Sequence, residues 1–114
     1  MQYRRSRVAG ATYFFTVNLA DRHQTWLVDH IDTLRLAFCS VMQGHPFALD
    51  AIVVLPDHLH ALWTLPPDDC DFATRWMLIK GQFSRGMPDL ERRSRSRSRI
   101  RKGERGIWQR RYWE

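Results

Sequence analysis

The sequence predicts an α+β fold, an antiparallel sheet with its helices packed on one face, and three observations carry that prediction. Residues 12–19 are rich in aromatic and β-branched side chains and alternate with a period of two. Two more strand-like runs, 48–55 and 58–65, meet at Pro56-Asp57, a strong hairpin signal. Two other segments repeat their apolar residues at helical spacing.

In the first strand, Tyr13, Phe15, Val17 and Leu19 share one face and are expected to point into the core. A helix is expected to open at Asp29, with Asp32 completing an approximate capping box. Its apolar stripe is Ile31, Leu34, Phe38, Val41 and Met42, and Gly44 and Pro46 stop it. After the hairpin, Pro66-Pro67 ends the second strand, and Asp68, Asp69 and Asp71 lead into a second helix over 72–85. Phe72, Trp76, Ile79 and Phe83 form its buried stripe, which leaves Arg75, Lys80 and Arg85 to solvent or a ligand. Acids at its start and bases at its end suit the helix dipole, and Gly86 and Pro88 terminate it. Residues 91–105 are an Arg/Ser-rich run, expected to be a flexible loop because like charges repel. Residues 107–114 are apolar and aromatic enough to dock again. The whole, 1–114, reads as one domain with a ferredoxin-like or RRM-like antiparallel sheet, its His-hydrophobe-His on a central strand.

Composition narrows the function. At 44% hydrophobic residues, 114 residues can bury one core. Cys39 and Cys70 stand in no CxxC pattern and read as reduced thiols. No apolar run reaches the roughly 18 residues of a membrane span, so a soluble, cytoplasmic protein is expected. The net charge of +6 is unevenly spread: residues 1–57 hold five Arg against five Asp, and residues 58–114 hold 13 bases against seven acids. Sixteen of the 18 bases are Arg, whose planar fork pairs with phosphate and stacks on bases. A polyanion partner, nucleic acid above all, is the expectation.

His58 and His60 lie two apart on a strand, so both imidazoles share one face, with Cα atoms about 7 Å apart. Leu59, Ala61, Trp63 and Leu65 take the opposite, core-facing side. Two ring nitrogens at that spacing can converge on one metal ion, although a strand with two exposed histidines and no metal accounts for the pair equally well. His23, His30 and His45 show no partner pattern and read as surface residues.

The stretch Ile52-Val-Val-Leu-Pro-Asp-His-Leu-His-Ala-Leu-Trp63 resembles the His-hydrophobe-His hairpin of single-tyrosine HUH transposases. The closing Trp108-Gln-Arg-Arg-Tyr-Trp-Glu114 is similar to a second motif of the REP-associated tyrosine transposases, and Leu78-Ile-Lys-Gly-Gln-Phe-Ser-Arg85 resembles their helix after the hairpin. The resemblance runs from Tyr13 to Glu114. It implies that His58 and His60, with a third polar ligand, hold Mg²⁺ or Mn²⁺ against a scissile phosphate of single-stranded or hairpin DNA. A tyrosine then attacks, leaving a 5′-phosphotyrosine that later reverses. It also implies a homodimer joined at the sheet edge.

In that family the nucleophilic tyrosine lies on a helix beyond the Trp-Gln-Arg-Arg motif, whereas this sequence ends at Glu114. Only Tyr3, Tyr13 and Tyr112 are present. Tyr112 is the nearest candidate and a poor one, because its motif suits packing or stacking. The third ligand is expected to lie on the same missing helix, so the chain reads as truncated before it and unable to cleave DNA. Lys80, Arg85, Arg110, Arg111 and Trp108 are the expected DNA contacts, bases interleaved with aromatics as single-strand binding requires. Trp108 or Trp113 could instead be a core anchor. Two alternatives stay open: a catalytically inactive DNA-binding remnant of this fold, and a basic RNA-binding α+β domain. RNA-binding sheets present aromatics on the open face, where His58, His60 and Thr64 are expected here, and that lowers the second.

Overall fold

The computed structural model describes residues 8–88 and 106–109. Its elements run β1 (Thr12–Asn18), α1 (Trp26–Asp29), α2 (Ile31–Gly44), β2 (Ala48–Val54), β3 (His58–Thr64) and α3 (Phe72–Gly86). The three strands form one antiparallel sheet in the order β1-β3-β2, so the strand bearing the two histidines is central. The expected α+β class and antiparallel sheet are what the chain forms.

Alternation decides which side of the sheet becomes core. Tyr13, Phe15 and Val17 of β1 and Leu59, Ala61 and Trp63 of β3 are all buried. Both long helices pack on that side: Trp63 stacks on Trp76 of α3 at 4.5 Å and meets Phe38 of α2 edge-on. Phe15 contacts Trp63, Phe72 and Trp76. Rings in edge or offset contact add roughly 0.5–1.5 kcal/mol per pair beyond the burial of their area. Residues 106–109 return to the outer edge of β1. Leu19 bridges Trp108, the Gln109 N–H donates to the Asn18 carbonyl (3.0 Å), and the Ala20 N–H donates to the Ile107 carbonyl (2.9 Å). This return lies where a ferredoxin-like fold would place its fourth strand. It covers part of an edge that would otherwise present unpaired amides.

Two expectations are corrected. Asp29 does not cap the long helix; it closes the short α1, where its carboxylate accepts the Thr25 hydroxyl proton at 2.6 Å. The apolar pair Trp26-Leu27 is buried and forces that extra turn, and α2 then starts at Ile31 with no side-chain cap. Arg75 is not left to solvent. It is 4% exposed and gives five hydrogen bonds: to both oxygens of Asp69 and to the carbonyls of His45, Pro46 and Asp71. Helical spacing placed Arg75 next to the buried stripe, and the fork tolerates burial there because the loop supplies its acceptors. The expected cap of α3 is present: Asp71 accepts from the Thr74 N–H at 3.1 Å.

The two long helices approach closely at Gly86, where a Cβ would lie 2.6 Å from the Thr33 Cγ2. Relief would need Thr33 to change between its two helical χ1 rotamers or the backbone to shift. Gly86→Ala should therefore lower unfolding stability by about 1–2 kcal/mol, the overpacking cost exceeding the gain in helix propensity. Adding Thr33→Ser, which deletes the obstructing methyl, should restore most of it in urea melts. A single variant as stable as wild type would refute the contact.

Candidate functional site

The face of the sheet opposite the helices carries the candidate site. The inward parity of Tyr13, Phe15 and Val17 turns Phe14 and Thr16 outward, while Asn18, next in that alternation, is buried. On β3 the outward residues are His58, His60, Leu62 and Thr64, all partly exposed. Register then pairs Asn18 with His58, Thr16 with His60 and Phe14 with Leu62. The two imidazoles lie side by side on this face, with ring centroids 5.0 Å apart and planes at 81°.

Each ring is held by its Nδ1. The His58 Nδ1 lies 2.8 Å from Oδ1 of Asp57, an acceptor when ionised, so in the neutral ring the proton sits on Nδ1 and the lone pair on Nε2. The His60 Nδ1 lies 2.9 Å from the Thr16 hydroxyl, which can donate or accept. Among the described residues neither Nε2 has a hydrogen-bond partner, and carboxylate-held histidines of this kind are typical of metal ligands. The second oxygen of Asp57 accepts from Nε of Arg22. With both oxygens engaged, Asp57 orients the site and is a poor direct ligand. Its hydrogen bond from His58, then that from Arg22, hold its carboxyl down at about pKa 2. Two adjacent imidazoles fit part of the ligand set of a borderline divalent cation. Among the described residues no group of three His, Cys, Asp or Glu side chains completes it.

Asp69 is likewise held at about 2, by its hydrogen bonds from Arg75 and then from the Asp71 N–H. A carboxyl whose folded pKa is depressed stabilises the fold fully above its ordinary value of 3.8. That stabilisation is lost as pH falls through about 2. Thermal midpoints should therefore drop steeply between pH 4 and 2, and Asp69→Asn should flatten that slope; an unchanged slope would contradict the assignment.

The other expected site residues are not brought to this face. α3 lies across the sheet from the histidines. Lys80 is corrected from a solvent-facing contact to a half-buried one, with its ammonium donating to the Gln109 carbonyl at 3.1 Å. Burial pushes its pKa down to about 8. Trp108 is corrected from a base-stacking ring to a core anchor: it is buried, packs on Phe83 at 5.3 Å, and its Nε1 donates to the Lys80 carbonyl. The aromatic that ends the chain's return to β1 is thereby used in packing. Arg85 remains exposed near the end of α3. Tyr13 is buried with its hydroxyl donating to the Val8 carbonyl, which rules it out as an attacking group in this state. Arg110, Arg111, Tyr112, Trp113, Tyr3 and the run 91–105 lie outside the described residues. Sequence reasoning passed over Phe14, Thr16, Asp57 and Arg22. The strand parity that turned Tyr13 inward already turned Phe14 and Thr16 outward, whereas the register that sets Thr16 against His60 comes only with the folded sheet.

No family model matches the chain. It is 43% identical over 112 residues to a Haemophilus influenzae protein that bears the name REP-associated tyrosine transposase, covering 98% of this chain and 63% of that protein. It is 41% identical over 113 residues to the REP-associated tyrosine transposase of Escherichia coli, covering 99% of this chain and 59% of the relative. Among solved structures, a REP-associated tyrosine transposase bound to a REP hairpin superimposes with a TM-score of 0.77 at 40% identity, over 99% of this chain and 59% of that one. A Deinococcus radiodurans protein described as a transposase shares the fold, at a TM-score of 0.63 and 21% identity, over 98% of this chain and 82% of that one. The α+β fold of this chain, an antiparallel sheet with helices on one face, is thus the fold of these transposase structures. The chain is similar in sequence to the REP-associated tyrosine transposases and spans about three-fifths of the length of the curated relatives it matches.

Proposed function

We propose that this chain binds single-stranded or hairpin DNA on the open face of its sheet and presents a phosphate there to a divalent cation held by His58 and His60. The observation that carries the reading is the paired imidazoles, each anchored at Nδ1 with Nε2 turned away from its anchor. The hairpin bound to the relative of known structure supports the choice of DNA, as does the excess of arginine. Mg²⁺ or Mn²⁺ suits the site, and such an ion supplies Lewis-acid stabilisation of charge on a phosphate oxygen. Within the chain, Asp57 and Thr16 orient the rings, and Arg22 neutralises Asp57 so that the site does not repel a phosphate. Strand cleavage by a tyrosine belongs to the proposal for the whole protein, and no described tyrosine is assigned to it. Pairing through the outer edge of β2 is the proposed route to a homodimer. No described helix is long and apolar enough to cross a membrane, and a DNA substrate places the proposed action in the cytoplasm.

Calorimetric titration with Mn²⁺ tests the cation site. Wild type should give a saturable heat that the double variant His58→Ala/His60→Ala loses; equal weak titrations in both would end the metal reading. Gel shift with hairpin DNA should show affinity falling steeply with salt, as phosphate contacts release counterions.

A further inference from the structure

The open face holds an aromatic ring that the cation site does not use. Phe14 is 52% exposed, on the strand beside the central one. Its ring lies nearly parallel to that of His60, at 15° with centroids 5.6 Å apart. Single exposed apolar residues are ordinary and usually mean nothing. Three features set Phe14 apart. It belongs to a strand whose other aromatics, Tyr13 and Phe15, are buried, so nothing in the core requires a third ring facing outward. It faces outward from a sheet of the kind that carries base-stacking aromatics in RNA-binding domains. Its neighbour on that face is an imidazole, which extends the flat surface, and Val53, 57% exposed on β2 opposite His60, continues the apolar strip past the site.

We propose that Phe14, backed by His60, is a stacking platform for one unpaired nucleobase of the bound DNA strand. This rests on the reading of the open face as the DNA surface, and it adds a base-binding subsite to what was proposed as a phosphate site. Phe14 pairs with Leu62, two residues along β3 from His60, which is about 7 Å of strand. A base lying on Phe14 therefore leaves its own sugar-phosphate within reach of the two Nε2 atoms. The ring and the cation site thus hold the base and the phosphate of the same nucleotide. Stacking is tolerant of sequence, because every base has a π-face. The platform thus selects for an unpaired nucleotide rather than for a particular base, and it excludes duplex, whose bases are already stacked.

The test is fluorescence anisotropy on the full chain, in EDTA so that cation binding plays no part. The probe is a DNA hairpin with a short single-stranded flank. Phe14→Ala should weaken binding by about tenfold, the low-to-middle range for loss of one stacked base, and Phe14→Trp should restore it. Phe14→Leu, which keeps the bulk and loses the flat face, should behave like Phe14→Ala, and circular dichroism melts of each variant check that the half-exposed position leaves the fold intact. For wild type, an abasic nucleotide at one flank position should cost the same tenfold, and should cost nothing further in Phe14→Ala. Wild type that fails to bind the hairpin defeats the DNA reading itself. Tight binding that is indifferent to Phe14→Ala and Phe14→Leu overturns the platform alone. An RNA flank bound tighter than the DNA flank through Phe14 would also overturn it, assigning the ring to RNA.

Discussion

Arg75→Met should destabilise the fold by about 2–4 kcal/mol, because buried carbonyls lose their donor. The Asp69 side chain, 31% exposed, can be taken up by water and adds little to that loss. The guanidinium is 4% exposed and holds three separate pieces of chain. Nε and one terminal nitrogen reach the His45 and Pro46 carbonyls at the exit from α2, and the other terminal nitrogen reaches the Asp71 carbonyl at the start of α3. Both terminal nitrogens grip Asp69 in a bidentate pair, at 2.9 and 3.1 Å. Methionine fills similar volume, which separates lost packing from lost hydrogen bonds. It leaves three carbonyls without this donor and Asp69 with only the Asp71 N–H. Against a total stability of 5–15 kcal/mol for an ordinary domain, that loss is severe. Arg75→Lys should recover only part, because an ammonium has three donors and no planar fork to reach five acceptors. Urea unfolding measures both variants. A loss below about 1 kcal/mol for Arg75→Met would mean that the clamp is decorative.

The corrections have a common physical origin. Periodicity reports which side of a helix or strand is apolar, and it placed all three strands, both long helices and the outward histidines, because a single buried face dictates each of them. It carries no information about a residue at the margin of the apolar stripe whose partners come from distant loops. Arg75 is such a residue. Its acceptors lie up to 30 positions away, and only the folded chain brings them together. The burial of Lys80 has the same origin, and so does the core-anchor role of Trp108: a ladder between α3 and the segment 106–109 joins them, and no local spacing announces it. The site was half legible. The histidine pair was visible as i, i+2, whereas Thr16 and Arg22 meet it through cross-strand register and loop packing, at separations of 44 and 35 residues from His60 and Asp57. Phe14 needed no such contact to be found. Applying to β1 the alternation already applied to β3 would have turned it outward.

Asp57→Ala should weaken Mn²⁺ binding by roughly 10- to 100-fold, the usual cost of removing an outer partner of a ligating histidine. The tautomer of His58 decides the effect. With Asp57 in place, the proton of neutral His58 stays on Nδ1 and the lone pair of Nε2 is free to bind. Without it, the ring can take the other tautomer or rotate about χ2, and both remove a ready ligand atom. The side chain is 19% exposed and packs at the hairpin tip, so its removal leaves the core untouched. The backbone there is tied independently: the Leu19 N–H donates to the Asp57 carbonyl and the Leu55 N–H to the His58 carbonyl, both at 2.8 Å. Thr16→Val should do less, because a hydroxyl can serve either tautomer of His60 and so imposes neither. Nitrogen chemical shifts of the two rings, read by NMR without metal, should show His58 as the Nδ1–H tautomer in wild type and a mixture in Asp57→Ala. A His58 that stays Nδ1-protonated in the variant, with Mn²⁺ affinity unchanged, would show that the carboxylate does not set the lone pair, and the ordering of the cation site would need another source.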